Sequence, residues 1–206
     1  MKTLEQLRKE YSQTISLLEM EKIANDLLDK YAYSTTDLLS EFNVDNLHKL
    51  FNDSHTNNSS IIDVLDHATE YKLNQRARHV YSEAARVFKF QDLCAKIDGS
   101  IATVKQLWEL GDLANSSQKS CRDLYECSSA ELDELTNLCC KLGAFGSRLT
   151  GAGWGGSTVS FVLEEKVGSF ISELKEKFYN EKAEHCKEEY VFACKPMCGA
   201  SIYVKK

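Results

Sequence analysis

The sequence predicts an α+β fold in which a large helical N-terminal part precedes an antiparallel sheet. Apolar residues recur at helical spacing over the first two-thirds of the 206 residues, and the apolar period changes to two after Gly143. The segments after Gly143 are joined by short connections, which favour antiparallel strands with helices on one face. Hydrophobic residues make up 43% of the chain and Pro occurs once, so a largely disordered or Pro-rich chain is excluded.

The helical part begins with a lead-in segment. Its apolar residues recur near one helical face: Leu4, Leu7, Tyr11, Ile15, Leu18 and Leu27. Ser34 and Asp37 have the spacing of a capping box for a short helix. Residues 52–60 are small and polar and predict a surface loop. We therefore expect residues 1–60 to form a helical lead-in and residues 61–206 to form the C-terminal domain.

Two long helices and a shorter one are predicted next. Over residues 61–97 apolar residues recur at helical spacing, with a break near residues 71–74. The second long helix carries Val104, Leu107, Trp108 and Leu113. Ser128 and Glu131 match a capping box for the shorter helix, and Gly143 stands where a left-handed helix stop belongs.

The period-two part predicts a sheet of four antiparallel strands. One strand precedes a glycine-rich turn, and residues 157–163, 190–194 and 200–204 alternate between apolar and polar side chains as strands do. Between the second and third strands, apolar residues mark an amphipathic helix: Val167, Phe170, Ile171, Leu174 and Phe178. The expected order is strand, glycine-rich turn, strand, helix, strand, tight turn and strand.

Charge and cysteine usage exclude several classes of protein. The chain has 31 acidic and 25 basic residues, a net charge of −6, and no Lys/Arg run, so we expect no nucleic-acid partner and no binding to anionic membranes. No apolar stretch approaches the roughly 18 residues of a membrane span. The eight Cys form no C-x-x-C pair and no signal peptide is recognisable, so we expect reduced thiols, a cytoplasmic location and no metal site.

Glycines are concentrated in one short segment. Six of the ten Gly lie between residues 143 and 156. Ordering each one costs roughly 0.5–1 kcal/mol relative to Ala, so a cluster of this size needs a reason beyond a simple turn. We favour a nest of backbone N–H groups that accepts phosphate oxygens, with hydroxyl groups at its rim from Thr150, Ser157 and Thr158. The alternative is a tight hairpin that crosses under a helix, where Gly avoids clashes.

Two phosphate-binding motifs do not explain the cluster. Gly151, Gly153 and Gly156 match G-x-G-x-x-G, but a dinucleotide-binding fold requires a helix to begin at this loop, and a strand is predicted there instead. No Lys follows the glycines, so a Walker A loop is excluded as well.

The glycine-rich segment, GSRLTGAGWGGSTVSF at residues 146–161, resembles the third signature motif of the GHMP small-molecule kinases. The similarity is to the branch of galactokinase and N-acetylgalactosamine kinase, and it extends to residues 76–87, 120–135 and 192–204. It implies a ferredoxin-like four-stranded sheet as the GHMP kinase C-terminal domain. It also implies a two-domain enzyme of galactose metabolism, an ATP-dependent phosphotransferase to an alcohol group. Such an enzyme moves the γ-phosphoryl group of Mg-ATP to the anomeric hydroxyl of a hexose in the cleft between its domains.

The resemblance implies a phosphate-binding site in the third motif and leaves other parts of the kinase missing. The implied nucleotide-phosphate-binding residues are Thr150, Gly151, Ala152, Gly153, Trp154, Gly155, Gly156 and Ser157. The sugar-recognition motif, the catalytic aspartate and the Ser-rich nucleotide loop of the family do not occur in this sequence. We therefore assign no catalytic residue and no metal ligand, and we expect ATP and Mg²⁺ to be bound mostly by an N-terminal kinase domain.

Two functional hypotheses follow. In the first, the chain is the C-terminal half of a galactokinase-like kinase, inactive alone, whose partners are the sugar, ATP and the missing N-terminal domain. In the second, it is a natural half-length, non-catalytic paralogue that binds or regulates another protein.

The resemblance and the helical spacing also single out individual side chains. One helix carries Arg76, Arg78, His79, Glu83 and Arg86, in which His79 and Glu83, and Glu83 and Arg86, have the spacing of pairs. The segment before the shorter helix is a candidate brace for the glycine loop: Arg122, Asp123, Tyr125 and Glu126. We expect Trp154 to pack as a lid or hinge. Relatives usually have His where this chain has Gln118, so no ligand role is carried over to that position.

Overall fold

The computed structural model describes residues 4–12, 14–50, 59–97, 101–179 and 190–195. Its α-helices are α1 (Leu4–Tyr11), α2 (Leu17–Leu27), α3 (Thr35–Glu41), α4 (Ser59–His67), α5 (Leu73–Ile97), α6 (Val104–Ser120), α7 (Ala130–Lys141) and α8 (Val167–Leu174). The strands are β1 (Tyr33–Ser34), β2 (Glu70–Tyr71), β3 (Gly146–Thr150) and β4 (Ser157–Phe161). Helices α6 and α8 each continue into a π-helical turn, π1 (Cys121–Tyr125) and π2 (Lys175–Tyr179), and short 3-10 turns lie at Leu47–Leu50 and Glu164–Lys166.

Capping side chains begin four of the eight described helices, α2, α3, α6 and α7. Ser34 begins α3 and Asp37 closes the capping box, as predicted. A second box, formed by Ser16 and Glu19, begins α2 and breaks the N-terminal helical pattern into two helices, which the apolar spacing alone did not indicate. Helix α7 starts one residue later than predicted, because Ser129 rather than Ser128 accepts the Leu132 N–H.

The lead-in segment packs on the rest of the chain. Helix α2 lies against α5 through a small core of Met20, Ala24 and Tyr81. Strands β1 and β2 pair, with Tyr33 opposite Tyr71. The predicted break near residues 71–74 is confirmed, since α4 ends before β2 and α5 begins after it. Most of the predicted 52–60 loop lies outside the described residues, and the domain boundary near residue 60 stays a prediction.

The β3–β4 hairpin packs against helices α6 and α7. The two strands are antiparallel, from the pair Gly146 and Phe161 to the pair Thr150 and Ser157. The side chains of Ser147 and Leu149 are buried. A separate core joins α7 to α8 and π2: Leu135, Cys139, Ala144, Phe170, Leu174 and Phe178. Gly143 has φ +100° at the end of α7, so the predicted left-handed stop is confirmed.

The sheet differs from the predicted four strands. In the described part of the chain it consists of β3 and β4 alone, residues 190–195 are not in a strand, and residues 200–204 lie outside the described residues. An alternating pattern forms a strand only against a partner strand, and Phe192 in this segment is 78% exposed. On the other side, the outer edge of β3 is closed by side chains of α6. The α+β architecture is confirmed, and the four-stranded sheet is not seen.

Membrane-spanning helices are not found: across the described residues, each helix is too short or too polar to cross a bilayer.

Candidate functional site

The loop between β3 and β4, residues 151–156, is the glycine-rich segment that the sequence singles out. Five of its six residues have φ in the left-handed region: Gly151, Gly153, Trp154, Gly155 and Gly156. A Cβ atom added at Gly151, Gly155 or Gly156 would meet nothing within 4 Å. At these three positions Gly is therefore required by the backbone conformation and not by crowding.

Two other glycines of the cluster have a packing role. A Cβ at Gly146 would overlap the backbone of Gly111 in α6, and a Cβ at Gly111 would overlap the Phe145 carbonyl. A Cβ at Gly153 would overlap the carbonyl oxygen of Cys127. The hairpin explanation is thus correct for Gly146 and contributes at Gly153, whereas it does not account for the open glycines.

Trp154 attaches the loop to the segment that follows π1. Its backbone N–H donates to the Cys127 carbonyl at 2.6 Å, and its indole Nε1–H donates to the Glu126 carbonyl at 3.1 Å. Among residues 151–156, no other backbone amide donates to an acceptor in the part of the chain that the structure describes. Trp154 is nevertheless 64% exposed. Trp154 therefore anchors the loop by hydrogen bonds and is not part of the hydrophobic core.

The Glu126 side chain connects this anchor to α5. Its carboxylate accepts hydrogen bonds from Lys72 Nζ at 2.6 Å and from Arg76 Nη2 at 2.8 Å. Arg76 Nη1 also donates to the Leu124 carbonyl. The hydrogen bond from Lys72, followed by that from Arg76, holds the pKa of Glu126 below its usual value. The predicted bracing of the loop is confirmed for Tyr125 and Glu126, while Arg122 and Asp123 pair with each other.

An aromatic stack lies beside these ions. The His79 ring stacks on Tyr125 with centroids 4.7 Å apart, and the Tyr125 ring lies 6.4 Å from that of Trp154. His79 Nδ1 pairs with the Ser120 hydroxyl at 2.9 Å, so the predicted partner, Glu83, is not the one it uses. Burial lowers the pKa of His79, with the nearby Glu83 carboxylate opposing the shift. Burial thus favours the neutral imidazole of His79.

Glu83 and Arg148 belong to a second polar cluster, under the hairpin. Glu83 accepts from Arg86 Nε at 2.7 Å, which confirms that predicted pair, and from the Ser117 hydroxyl at 2.7 Å. Arg148 lies 3.6 Å from Glu83 and donates to the Leu149 carbonyl. Arg148 thus points neither to the loop nor to open solvent, and its role is to join β3 to α5.

Gln118 has a structural role that the sequence did not reveal. Its side-chain oxygen accepts the Leu149 N–H at 2.8 Å, and its amide donates to Ser128 and Asp133. One turn earlier, Asn115 accepts the Ser147 N–H at 3.0 Å. These two amides satisfy alternate N–H groups on the outer edge of β3, in place of a neighbouring strand. In the sequence, the one indication of this role is that the two amides are three residues apart, on the same face of α6.

The described cysteines are free thiols, as expected: Cys94, Cys121, Cys127, Cys139, Cys140 and Cys194. Burial, and then the neighbouring Cys127, raise the pKa of Cys121 to about 11. Burial also raises the pKa of Cys139 and Cys140. Thiolates are the reactive form of cysteine, and the raised pKa values disfavour thiolates at Cys121, Cys139 and Cys140.

The loop faces solvent and not a closed pocket. A cavity of about 590 Å³ lies between α2, α5 and α6 and is not lined by the loop. The described residues also contain no group of three or more His, Cys, Asp or Glu side chains that could hold a metal ion.

Comparison with known proteins shows which family the loop-containing region resembles. A family model described as GHMP kinases C terminal matches residues 101–180. The matched region is similar to the C-terminal domain of GHMP kinases and comprises α6, α7, α8 and the β3–β4 hairpin. The resemblance of the glycine-rich motif to GHMP kinases is confirmed at this level.

Curated relatives of the GHMP domain are galactokinases. The chain is 40% identical over 149 residues to galactokinase from Dictyostelium discoideum and 41% identical over 140 residues to galactokinase from Saccharomyces cerevisiae. Each match covers 64% of this chain, but only 30% and 26% of those relatives. A solved structure of galactokinase from Lactococcus lactis in complex with galactose aligns with 82% of this chain and covers 39% of its own chain. The TM-score is 0.47 and the sequence identity is 24%, so the alignment supports no further conclusion.

Proposed function

We propose that this chain is the C-terminal part of an ATP-dependent, galactokinase-like hexose 1-kinase, in which residues 150–157 cover the nucleotide phosphates. The single observation that carries the proposal is the conformation of the loop. Its left-handed backbone leaves amides without an acceptor among the described residues, next to glycines that have open space in place of a side chain. That arrangement fits a phosphate chain, because a phosphate oxygen can approach the backbone closely and accept several N–H groups at once.

The described residues supply positioning and hydrogen-bond donors. Amides of the loop, with the hydroxyl groups of Thr150 and Ser157, would donate to phosphate oxygens and hold the γ-phosphoryl group in line with the acceptor hydroxyl. Phosphoryl transfer depends mainly on such positioning and on the stabilisation of charge. ATP would supply the phosphoryl group, and Mg²⁺ would neutralise its charge. Residues 150–157 contain no carboxylate, so the loop itself would not supply acidic ligands for Mg²⁺.

The proposal has finer parts. An N-terminal kinase domain would provide the sugar site, the general base and most nucleotide contacts, so the chain alone would have no turnover. The acceptor would be galactose or N-acetylgalactosamine. The full sheet would have the four strands predicted from the sequence. The free thiols of the described cysteines support a reducing, cytoplasmic location.

Binding and turnover measurements on the purified chain test the proposal. Trp154 lies in the loop, so its fluorescence should change on titration with ATP or pyrophosphate, in a W108F background that leaves it as the only Trp of the two. A coupled assay with galactose and ATP should show no product. Absence of any fluorescence response and of any binding by calorimetry at millimolar ligand would overturn the phosphate role, and robust turnover would overturn the missing-domain interpretation.

A second candidate function, protein binding without catalysis, is favoured by exposed apolar side chains on α5 and α6. Val87 and Phe88 in the second half of α5 are 65% and 59% exposed, and Val104 and Trp108 at the start of α6 are 62% and 49% exposed. Such residues commonly mark an interface. Titration with the separately expressed N-terminal half of a related galactokinase, and with the intact enzyme, distinguishes the two functions. Binding to the half that restores turnover supports the kinase, whereas inhibition of the intact enzyme supports regulation.

A further inference from the structure

The conformation of the glycine loop depends on three charged side chains that lie outside it. The loop contacts the rest of the chain through Trp154, and both acceptors of Trp154 are carbonyl groups of residues 126 and 127. The orientation of those two carbonyls therefore decides where the loop lies.

The carbonyls point at the loop because the chain reverses at Glu126. This residue has φ +60°, an uncommon conformation for a side chain larger than Gly, and the Cys127 N–H returns to the Cys121 carbonyl at 2.9 Å. Trp154 also has a left-handed backbone, with φ +55°. The two hydrogen bonds of Trp154 thus join two segments in which a bulky residue, Glu126 or Trp154, has a left-handed backbone. Such a conformation is strained and persists only where surrounding contacts hold it.

The start of helix α5 supplies those contacts. Lys72, the residue just before α5, and Arg76, in its first turn, each donate to a different oxygen of the Glu126 carboxylate. Arg76 donates in addition to the Leu124 carbonyl, on the other side of Tyr125. Its guanidinium also lies 5.6 Å from the centre of the Tyr125 ring. The left-handed turn is thus held on both sides by one helix.

We infer that Lys72, Arg76 and Glu126 are positioning residues, which set the conformation of Trp154 and through it the anion affinity of the loop. Glu126 holds both Lys72 and Arg76 in ion pairs, and the three side chains together keep a net charge of +1. This inference rests on the proposed function of the loop, but its first half, the control of Trp154, can be measured without any ligand.

The experiment uses the full chain with W108F, so that Trp154 is the only fluorophore of its kind. The main variant is Glu126→Gln, which keeps the shape of the side chain and removes its charge. The matched control is Glu173→Gln, which removes a carboxylate of α8 from a surface ion pair with Lys177 of π2 at 3.1 Å. Two further variants test the role of the Arg76 charge. Arg76→Gln removes the positive charge, and Arg76→Lys retains it. Circular dichroism verifies that each variant is folded.

Two readouts are compared. Without ligand, acrylamide quenching of Trp154 should rise in Glu126→Gln and Arg76→Gln, should be partly restored in Arg76→Lys, and should not change in Glu173→Gln. With sodium pyrophosphate, the dissociation constant should rise about 2- to 5-fold in the first two variants, the range expected for loss of a partly exposed ion pair.

The outcomes separate the inference from the proposed function. Equal quenching in Glu126→Gln and Glu173→Gln overturns the inference, whether or not pyrophosphate binds. Increased quenching in a protein that binds neither pyrophosphate nor ATP supports the control of Trp154 and overturns the phosphate role. Increased quenching with unchanged pyrophosphate affinity shows that the three residues hold Trp154 but do not set the anion affinity, which overturns the second half of the inference.

Discussion

The base of the β3–β4 hairpin is packed and hydrogen-bonded on its outer edge, whereas its tip is attached at one residue. At the base, Gly146 lies against Gly111 without room for a methyl group, and Asn115 and Gln118 accept the outer N–H groups of β3. At the tip, three glycines face open space and Trp154 makes the anchoring bonds. Glycine therefore has two roles in one motif, close packing at the base and backbone conformation at the tip.

This difference between base and tip predicts that substitutions at the base change stability and substitutions at the tip change binding. Changes at the base remove contacts that the fold needs, so they should act on the free energy of unfolding. Changes at the tip affect a segment with few packing partners, so they should act mainly on ligand affinity. The predictions below test this separation.

The largest loss of stability is expected for Gly146→Ala. The new Cβ would overlap backbone atoms of Gly111, which no side-chain rotation relieves. We expect destabilisation by about 3 kcal/mol, at the upper end of the usual range for overpacking, measured by urea unfolding. Gly168→Ala in α8 is the matched control, because nothing lies within 4 Å of its Cβ. It should stabilise by roughly 0.5–1 kcal/mol, and equal effects of the two variants would contradict the packing role.

A smaller loss is expected for Gln118→Met. The substitution preserves the size of the side chain and leaves the Leu149 N–H without its acceptor. The cost of a buried unsatisfied donor is about 1–3 kcal/mol. Thermal unfolding followed by circular dichroism measures the cost, with the exposed Ser116→Ala on the same helix as control. An unchanged melting temperature would show that the edge of β3 does not need this amide.

At the tip, Gly156→Ala should affect affinity more than stability. The position has φ +88° and open space around its Cβ, so the strain of a left-handed Ala is about 1 kcal/mol. The methyl group would also shield the neighbouring amide from a phosphate oxygen. We expect pyrophosphate binding, followed by calorimetry, to weaken by more than this small loss of stability accounts for. Loss of stability with intact binding would contradict the assignment of the tip.

The smallest effect is a pH dependence at Glu126. Lys72 and Arg76 lower its pKa in the folded protein, so the pairing stabilises the fold above the unfolded pKa and is lost as the pH falls through the folded pKa. The group is partly exposed, and its contribution should be below about 1 kcal/mol. The difference in unfolding free energy between wild type and Glu126→Gln should therefore shrink between pH 7 and pH 3. A constant difference would indicate that the charge is irrelevant.

Much of the fold follows from local patterns in the sequence. The Ser34 and Asp37 capping box, the stop at Gly143 and the break near residues 71–74 each depend on neighbouring residues, and each is confirmed. The start of α7 was wrong by one residue, because Ser128 and Ser129 are adjacent and chemically equal as caps. Ser128 donates to Asp133 instead, and Gln118 donates to both of these residues.

The polar pairs under the hairpin were predicted less well. The i,i+3 pair of Glu83 and Arg86 is confirmed, since it lies within one helix. His79 was assigned to Glu83 on the same grounds but pairs with Ser120, which lies 41 residues away along the chain. Helical spacing limits which neighbours are in reach, and it carries no information about a competing partner on another helix.

The sequence by itself determined the family, the order of helices around the hairpin and the position of the glycine loop, because motifs, caps and apolar periods are local properties. Only the tertiary structure decided which glycines serve packing, that α6 closes the edge of β3, and that Glu126 connects α5 to Trp154. These features join residues far apart in the chain through single contacts, such as the bond between Gln118 and Leu149. Their partners are set by how the helices cross, and no local pattern records that crossing.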